Sequence, residues 1–443
     1  MPRRPFALAL ALLAALSGHA AAQNTPRDLK VRADREAFAA RADWIYNDLD
    51  AAVAAAKKDG KPLFVAFRCI PCEACQEFDD DVARRDPIIR DLLERFVAVR
   101  IIQANNIDLN RFRYDFDQSF AVVLMHPDGT ILARHGTRSD RPEAEDMALE
   151  GLRATMEGAL KLHAEYGAIR PSLAGKQVAP GPYRTPRDFP GMAETFGTAI
   201  DYEGTTAKSC MHCHQVREAE RLAFRNKGGP IPEDVLYPYP DPETLGLRLD
   251  PKTTATVKAV APGSAAATAG LAPGETIAAL RGQPILSTAD VQWALHTIPG
   301  EAKELEATVR RADGTSRPVT LPLPDGWRRG NISWRTSTWD LRRMALGGLR
   351  LSEPLRAERR ALGIAPEKLA LQVTHAGEYG EHAVAKRAGV RRGDVIVAVD
   401  GEDAAMSESD LIAYALRTRK PGESIALTYL RDGKRTTVAI RQQ

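Results

Sequence analysis

Apolar and polar positions alternate with different periods along the chain, and the changes of period mark out its units. From Asp28 to Lys58 an alanine-rich, helix-favouring pattern runs to a stop at Asp59-Gly60-Lys61-Pro62. Leu63-Phe64-Val65-Ala66-Phe67 is then an uninterrupted apolar run, which predicts a strand covered on both faces. Helical spacing returns over 73–83 and 87–96, and Phe96 to Ile102 reads as a second strand. Phe120 to Met125 and Thr130 to Arg134 flank the turn His126-Pro127-Asp128-Gly129 as a β-hairpin, and a helical stretch follows from Arg141 to about Tyr166. The order is β-α-β-β-α.

Over 167–190 proline and glycine accumulate without apolar periodicity, which predicts a linker. Residues 191–242 form a helical segment with a proline-rich tail. Beyond 243 the chain repeats itself. Ala269-Gly270-Leu271-Ala272-Pro273-Gly274-Glu275-Thr276-Ile277 aligns with Ala388-Gly389-Val390-Arg391-Arg392-Gly393-Asp394-Val395-Ile396 at an offset of 119 residues. The same offset aligns Arg311-Ala312-Asp313-Gly314 with Leu430-Arg431-Asp432-Gly433, so two homologous units are expected at 243–325 and 346–443. The connector between them, 326–345, holds Trp327, Trp334 and Trp339, for which interdomain packing is the favoured reading and cover for a cofactor or partner the other.

A length of 443 residues suits about three units of ordinary size. Residues 1–22 carry Arg3 and Arg4, an apolar stretch from Phe6 to Leu16 and a small-residue end at Ala20-Ala21-Ala22, the pattern of a secretory signal peptide. Export, with a periplasmic location, is therefore expected. No later stretch reaches the eighteen apolar residues of a membrane span, so no integral membrane segment is expected after signal removal. Losing Arg3 and Arg4 takes the formal charge from +3 to +1, which offers no basic field for nucleic acid.

The five cysteines, at 69, 72, 75, 210 and 213, are too few and too clustered for a disulfide framework and mark chemistry instead. Cys210-Met211-His212-Cys213-His214 resembles the attachment sequence of c-type cytochromes, a resemblance that implies covalent haem c on Cys210 and Cys213 with His214 on the iron. Half of a zinc site and a plain disulfide are the other readings of that spacing. Met192, a histidine of another domain or an open position are the alternatives for the distal ligand.

The stretch leading through Leu63 to Phe67 into Cys72-Glu73-Ala74-Cys75 resembles the exported thioredoxin-like families over roughly residues 30–165, within a domain placed at 28–166. That resemblance implies Cys72 as the attacking thiolate at a helix N-terminus and Cys75 as the resolving thiol. Pro71 stands where the family has tryptophan, and Gln118-Ser119-Phe120 where it has a cis-proline. With Cys69 the motif becomes CxxCxxC, and Cys69, Cys72 and Cys75 could alternatively hold zinc or copper, with His126 or His135 as a fourth ligand.

The repeat resembles periplasmic-type PDZ domains through Pro262-Gly263-Ser264-Ala265-Ala266 and Gly274-Glu275 in the first copy, and Gly393-Asp394 with Asp400-Gly401 in the second. The resemblance implies capture of a peptide C-terminus, with Leu245, Gly246 and Leu247, and Gly347, Gly348 and Leu349, as the binding loops. No nucleophile motif of a serine protease accompanies them, so proteolysis is not expected.

The fold class expected is multidomain α/β plus β: a thioredoxin-like fold, a short helical haem segment and two PDZ-like units. The function expected is an exported redox protein, acting by electron transfer or thiol-disulfide exchange on a redox partner the sequence does not identify, with a protein or peptide partner recruited by the PDZ units. The competing reading is a non-enzymatic metal-holding or scaffold protein.

Overall fold

The computed structural model describes residues 25–71 and 76–443. The expected signal peptide at 1–22 and the expected thiol pair Cys72 and Cys75 lie outside the described residues.

The first unit runs α1 (Pro26–Phe38), β1 (Ile45–Tyr46), α2 (Leu49–Asp59), β2 (Leu63–Arg68), α3 (Pro87–Leu93), β3 (Val97–Ile101), β4 (Phe120–Met125), β5 (Ile131–His135) and α4 (Leu149–Ala164). Its sheet has the order β1-β3-β2-β4-β5, with β1, β3 and β2 parallel and β4 and β5 antiparallel. Every residue of β2 is buried, which is why its sequence is a continuous apolar run. Alternate side chains serve opposite layers: Leu63, Val65 and Phe67 meet Ala52 and Ala56 of α2, while Phe64 and Ala66 meet Phe38 and Trp44.

The helical pattern expected over 28–58 is broken in two. Trp44 stands edge-on to both Phe38 and Phe64, at 6.1 and 6.0 Å, and pulls the chain down onto the sheet. Asn47, at φ 54°, then donates its N–H to Arg100 O and accepts from Ile102 N–H through Oδ1, which seats β1 beside β3. Helix propensity loses here to tertiary packing.

The stretch 167–190 lies against the body of the molecule, with Leu173, Lys176 and Phe189 buried. Helix α5 (Cys213–Asn226) follows, and its Val216, Ala219 and Ala223 share the core of the α2 layer.

The first repeat contains β6 (Leu247–Leu249), β7 (Val257–Val260), β8 (Thr276–Leu280), β9 (Gln283–Pro284), α6 (Thr288–His296), β10 (Glu304–Arg310) and β11 (Ser316–Pro322). The second contains β12 (Leu349–Ser352), β13 (Leu371–Ala376), β14 (Val395–Val399), α8 (Glu408–Thr418), β15 (Ser424–Arg431) and β16 (Lys434–Arg441), preceded by α7 (Thr338–Leu346). Strands β8 and β14 occupy equivalent places 119 residues apart. Both units repeat one polar device: a guanidinium pairs with the acid that opens this strand and donates to a glycine carbonyl. In the first it joins Arg317, Glu275 and Gly270 O; in the second it joins Arg431, Asp394 and Gly389 O.

The second unit's core extends beyond the repeat, since Leu341, Met344, Ala345 and Leu346 of α7 and Ile231, Val235, Leu236 and Tyr237 enter it. Of the connector tryptophans, Trp327 is buried in the core of the first unit, Trp334 receives Arg335 at 4.6 Å, and Trp339 is 37% exposed beside His375.

Candidate thiol site

The end of β2 is pinned by a chain of buried charges. Arg68 pairs with Asp79 at 3.1 Å, Asp79 with Arg100 at 2.7 Å, and Arg100 with Asp34 at 2.7 Å. Burial alone would push the Asp79 carboxyl up, but the Arg100 and Arg68 guanidiniums outweigh it and hold the group below its ordinary value. Arg68 also donates through Nη1 to the carbonyls of Cys69 and Ser119, so the backbone leaving β2 is fixed. Cys69, 5% exposed, is the first residue past the strand.

The CMHCH segment docks onto this end of the sheet. Asn105, wholly buried in the loop after β3, accepts Met211 N–H at 2.8 Å and donates through Nδ2 to Ser209 O at 2.8 Å and Gly197 O at 3.0 Å. Ala104 N–H adds a bond to Met211 O at 3.1 Å. His212 caps α5, and its Nδ1 lies 3.4 Å from Cys69 Sγ. Cys213 Sγ lies 3.1 Å from the Tyr114 hydroxyl, and Cys210 Sγ 3.6 Å from Ile102 O. Burial, with Cys213 next, raises the Tyr114 phenol well above its ordinary value, so it stays neutral beside the thiols. His214 Nδ1 meets Glu218 Oε1 at 3.0 Å within α5.

Cys69 and the CMHCH segment, 141 or more residues apart in the chain, thus share one pole of the first unit, at the carboxyl ends of its parallel strands. His212 and Tyr114 complete the contact, and sequence reasoning had assigned neither a role there. The CxxCH spacing drew attention to His214 instead, and Tyr114 carries no local signal.

The described surroundings of Cys210 and Cys213 do not fit a covalent haem. The thiols belong to two different apolar clusters, Cys210 with Val31, Ile102 and Ile200, and Cys213 with Phe67, Tyr114 and Val216. Cys210, Met211 and Cys213 are 2%, 1% and 8% exposed, which leaves no common open face for a porphyrin. Among the described residues no group of three or more His, Cys, Asp or Glu side chains is placed to hold a metal ion. The two histidines considered as ligands beside the first motif are otherwise engaged. His126 stacks on Tyr166 at 3.6 Å at the far end of β4, and His135 lies between Phe78 and Thr155.

The predicted peptide loops are turns at the heads of β6 and β12. Gly246, at φ +80°, donates its N–H to Glu243 O and accepts Ala261 N–H. Gly348, at φ +88°, donates to Arg342 O, while Gly347 O accepts Ala385 N–H. Leu245, Leu247 and Leu349 point into the cores. Along β12 the Leu351 N–H is taken by Glu408 Oε1 at 2.7 Å, and Glu408 is paired with buried Arg342 at 2.7 Å. Helix α6 of the first repeat faces β5: Asp290 accepts Arg134 N–H at 3.0 Å and pairs with buried Lys176 at 2.6 Å.

These features define a chain in which a thioredoxin-like domain is joined to a PDZ domain. Residues 44–127 match the family model described as thioredoxin-like, and residues 362–441 that of the PDZ domain. Among solved structures the chain is similar to the HtrA-type protease AlgW with decapeptide, at 20% identity and TM-score 0.21, over 36% of this chain and 44% of that one. It is also similar to AlgW with tripeptide, at 19% identity and TM-score 0.19, over 30% of this chain and 47% of that one. The match spans less than half the length of either AlgW chain. No helix among the described residues is long and apolar enough to cross a membrane.

Proposed function

We propose that the protein is an exported thiol-disulfide redox protein in which both cysteine motifs serve one site, and that its PDZ domain, with the related first repeat, binds a protein or peptide partner. The observation that carries this reading is the 3.4 Å contact between Cys69 Sγ and His212 Nδ1, which brings the CMHCH segment onto the strand that leads to Cys72 and Cys75. An imidazole beside a thiol favours the thiolate, the attacking form in disulfide exchange. In the reaction a Cys72 thiolate attacks a substrate disulfide, one substrate sulfur leaves as a thiolate, and Cys75 resolves the mixed disulfide. The substrate gains two electrons and the protein is left with a Cys72–Cys75 disulfide.

Haem c is what the CMHCH motif alone suggests, and the burial of its thiols in separate clusters favours thiol chemistry instead. Protein produced in a host able to attach haem c should be colourless and negative in a haem stain; a covalent haem band would restore the cytochrome reading. The zinc- or copper-holding alternative is separated by thiol titration with and without chelator.

The direct test is turnover of a model protein disulfide with a small dithiol as reductant. The native chain should accelerate it, and Cys72→Ser should lower the rate at least about a hundredfold, since the attacking sulfur is lost. Equal rates with and without the native protein would overturn the proposal.

A further inference from the structure

Where the loop after β5, the proline-rich segment and the connector meet, they enclose a cavity of about 260 Å³. Five guanidinium groups line it, from Arg138, Arg141, Arg328, Arg329 and Arg335. Three are answered by carboxylates. Arg141 pairs with Asp146 at 2.8 Å and Asp241 at 3.0 Å, Arg329 with Glu233 at 2.8 Å, and Arg335 with Asp115 at 2.6 Å.

The other two are not. Arg328, 5% exposed, donates to the carbonyl oxygens of His296 and Ile298. It also lies over the Trp327 ring at 4.6 Å, and Asp234 and Glu233 act on its charge only from beyond ion-pair distance. Arg138 has the face of Trp334 at 5.8 Å as its neighbour. Among the described residues neither has a carboxylate within ion-pair distance. In addition, the buried Nε of Arg335 has no hydrogen-bond partner among them. Of the other acids on the wall, Glu243 pairs with Arg141 at 2.7 Å and Asp140 accepts from Asn331 Nδ2 at 2.7 Å.

A half-enclosed space whose wall carries two guanidiniums without an ion pair favours an anion, since a cationic wall attracts a carboxylate or phosphate. The volume lies below the roughly 300–1,000 Å³ of sites for drug-sized ligands, so the occupant is small. We propose that this cavity binds a small oxyanion-bearing molecule, held by Arg138 and Arg328. Such a ligand would tie the loop of the thioredoxin-like domain to the connector that leads into the PDZ domain. The proposal is independent of the thiol site.

The experiment is thermal unfolding of the full chain in increasing phosphate, and separately acetate, against chloride at equal ionic strength and pH. A ligand that binds the folded state raises Tm in a saturable way. Phosphate also stabilises proteins by exclusion from their surfaces, so the decisive comparison is Arg138→Gln, which removes a partly exposed group with no ion pair to lose. In the native chain one anion should give a saturable rise, and Arg138→Gln should weaken its apparent affinity at least about tenfold, as loss of a charged partner does. Arg328→Gln, which removes the second unpaired charge from the wall, should weaken it as well. The anion that gives the larger effect identifies carboxylate or phosphate as the recognised group. An unchanged rise in Arg138→Gln, or no saturable rise with either anion, would overturn the proposal.

Discussion

Asn105 shows how one side chain can decide whether a motif is a loop or a site. Its amide satisfies Met211 N–H at a buried position, Ser209 O at a half-buried one and Gly197 O nearer the surface. Asn105→Ala strands these groups at about 1–3 kcal/mol for each one left without a partner. The expected result is a lowered Tm and faster alkylation of Cys210, followed by mass spectrometry. His135 acts at the same scale through its proton. Full burial lowers its pKa from 6.5 to about 4, so between those values the unfolded chain binds a proton that the folded one refuses. The stability it contributes is complete above pH 6.5 and is lost as the pH falls towards 4, by at most about 3 kcal/mol. Urea unfolding of the native chain should show this decline, with a flatter one in His135→Gln. His296, half-buried and lowered well below its ordinary value by desolvation, acts with the same sign. Neither effect is legible in the sequence, where His135 ends an ordinary hairpin strand and Asn105 follows one.

Elements were legible where their own periodicity fixes them. The run Leu63 to Phe67, the hairpin around His126 to Gly129 and the 119-residue repeat all became strands and turns in the places read from the sequence. The break in the first helix was not, because it depends on Trp44 reaching Phe64, a contact made only after the sheet forms. The docking of α6 onto β5 was hidden for the same reason. Asp290 sits where an N-terminal helix acid is ordinary, yet it accepts the Arg134 N–H of the edge strand and neutralises Lys176. That contact also covers an edge that would otherwise be open to pairing. Asp290→Ala leaves the Lys176 ammonium buried without its partner, and breaking such a pair costs about 3–5 kcal/mol. Thermal unfolding should show the first unit and the first repeat losing their common transition, whereas a surface change such as Lys303→Ala should leave it intact.

For the whole molecule, the sequence displayed its modules but not their meeting. Two cysteine motifs far apart in the chain gave no sign that His212 of one would lie against Cys69 of the other, since spacing reports local chemistry and not docking. The same limit applied to the CMHCH motif: its spacing suits haem attachment, and only the burial of Cys210 and Cys213 in separate clusters turns the reading towards thiols. In the connector, whose tryptophans read as interdomain packing, α7 also completes the core of the second unit, and both Arg138 and Arg335 lie over the Trp334 ring. The modules therefore hold one another in place around a thiol pole and an arginine-lined junction.

The measurement closest to the central claim is a redox titration of the full chain against a dithiol-disulfide buffer, with each cysteine trapped by alkylation and counted by mass spectrometry, in the native protein and in His212→Ala. The account predicts that Cys72 and Cys75 pass together from reduced to oxidised as one two-electron couple, and that Cys69 is alkylated more slowly once His212 is gone. Cysteines whose alkylation is indifferent to the buffer potential, and a Cys69 indifferent to His212, would contradict it.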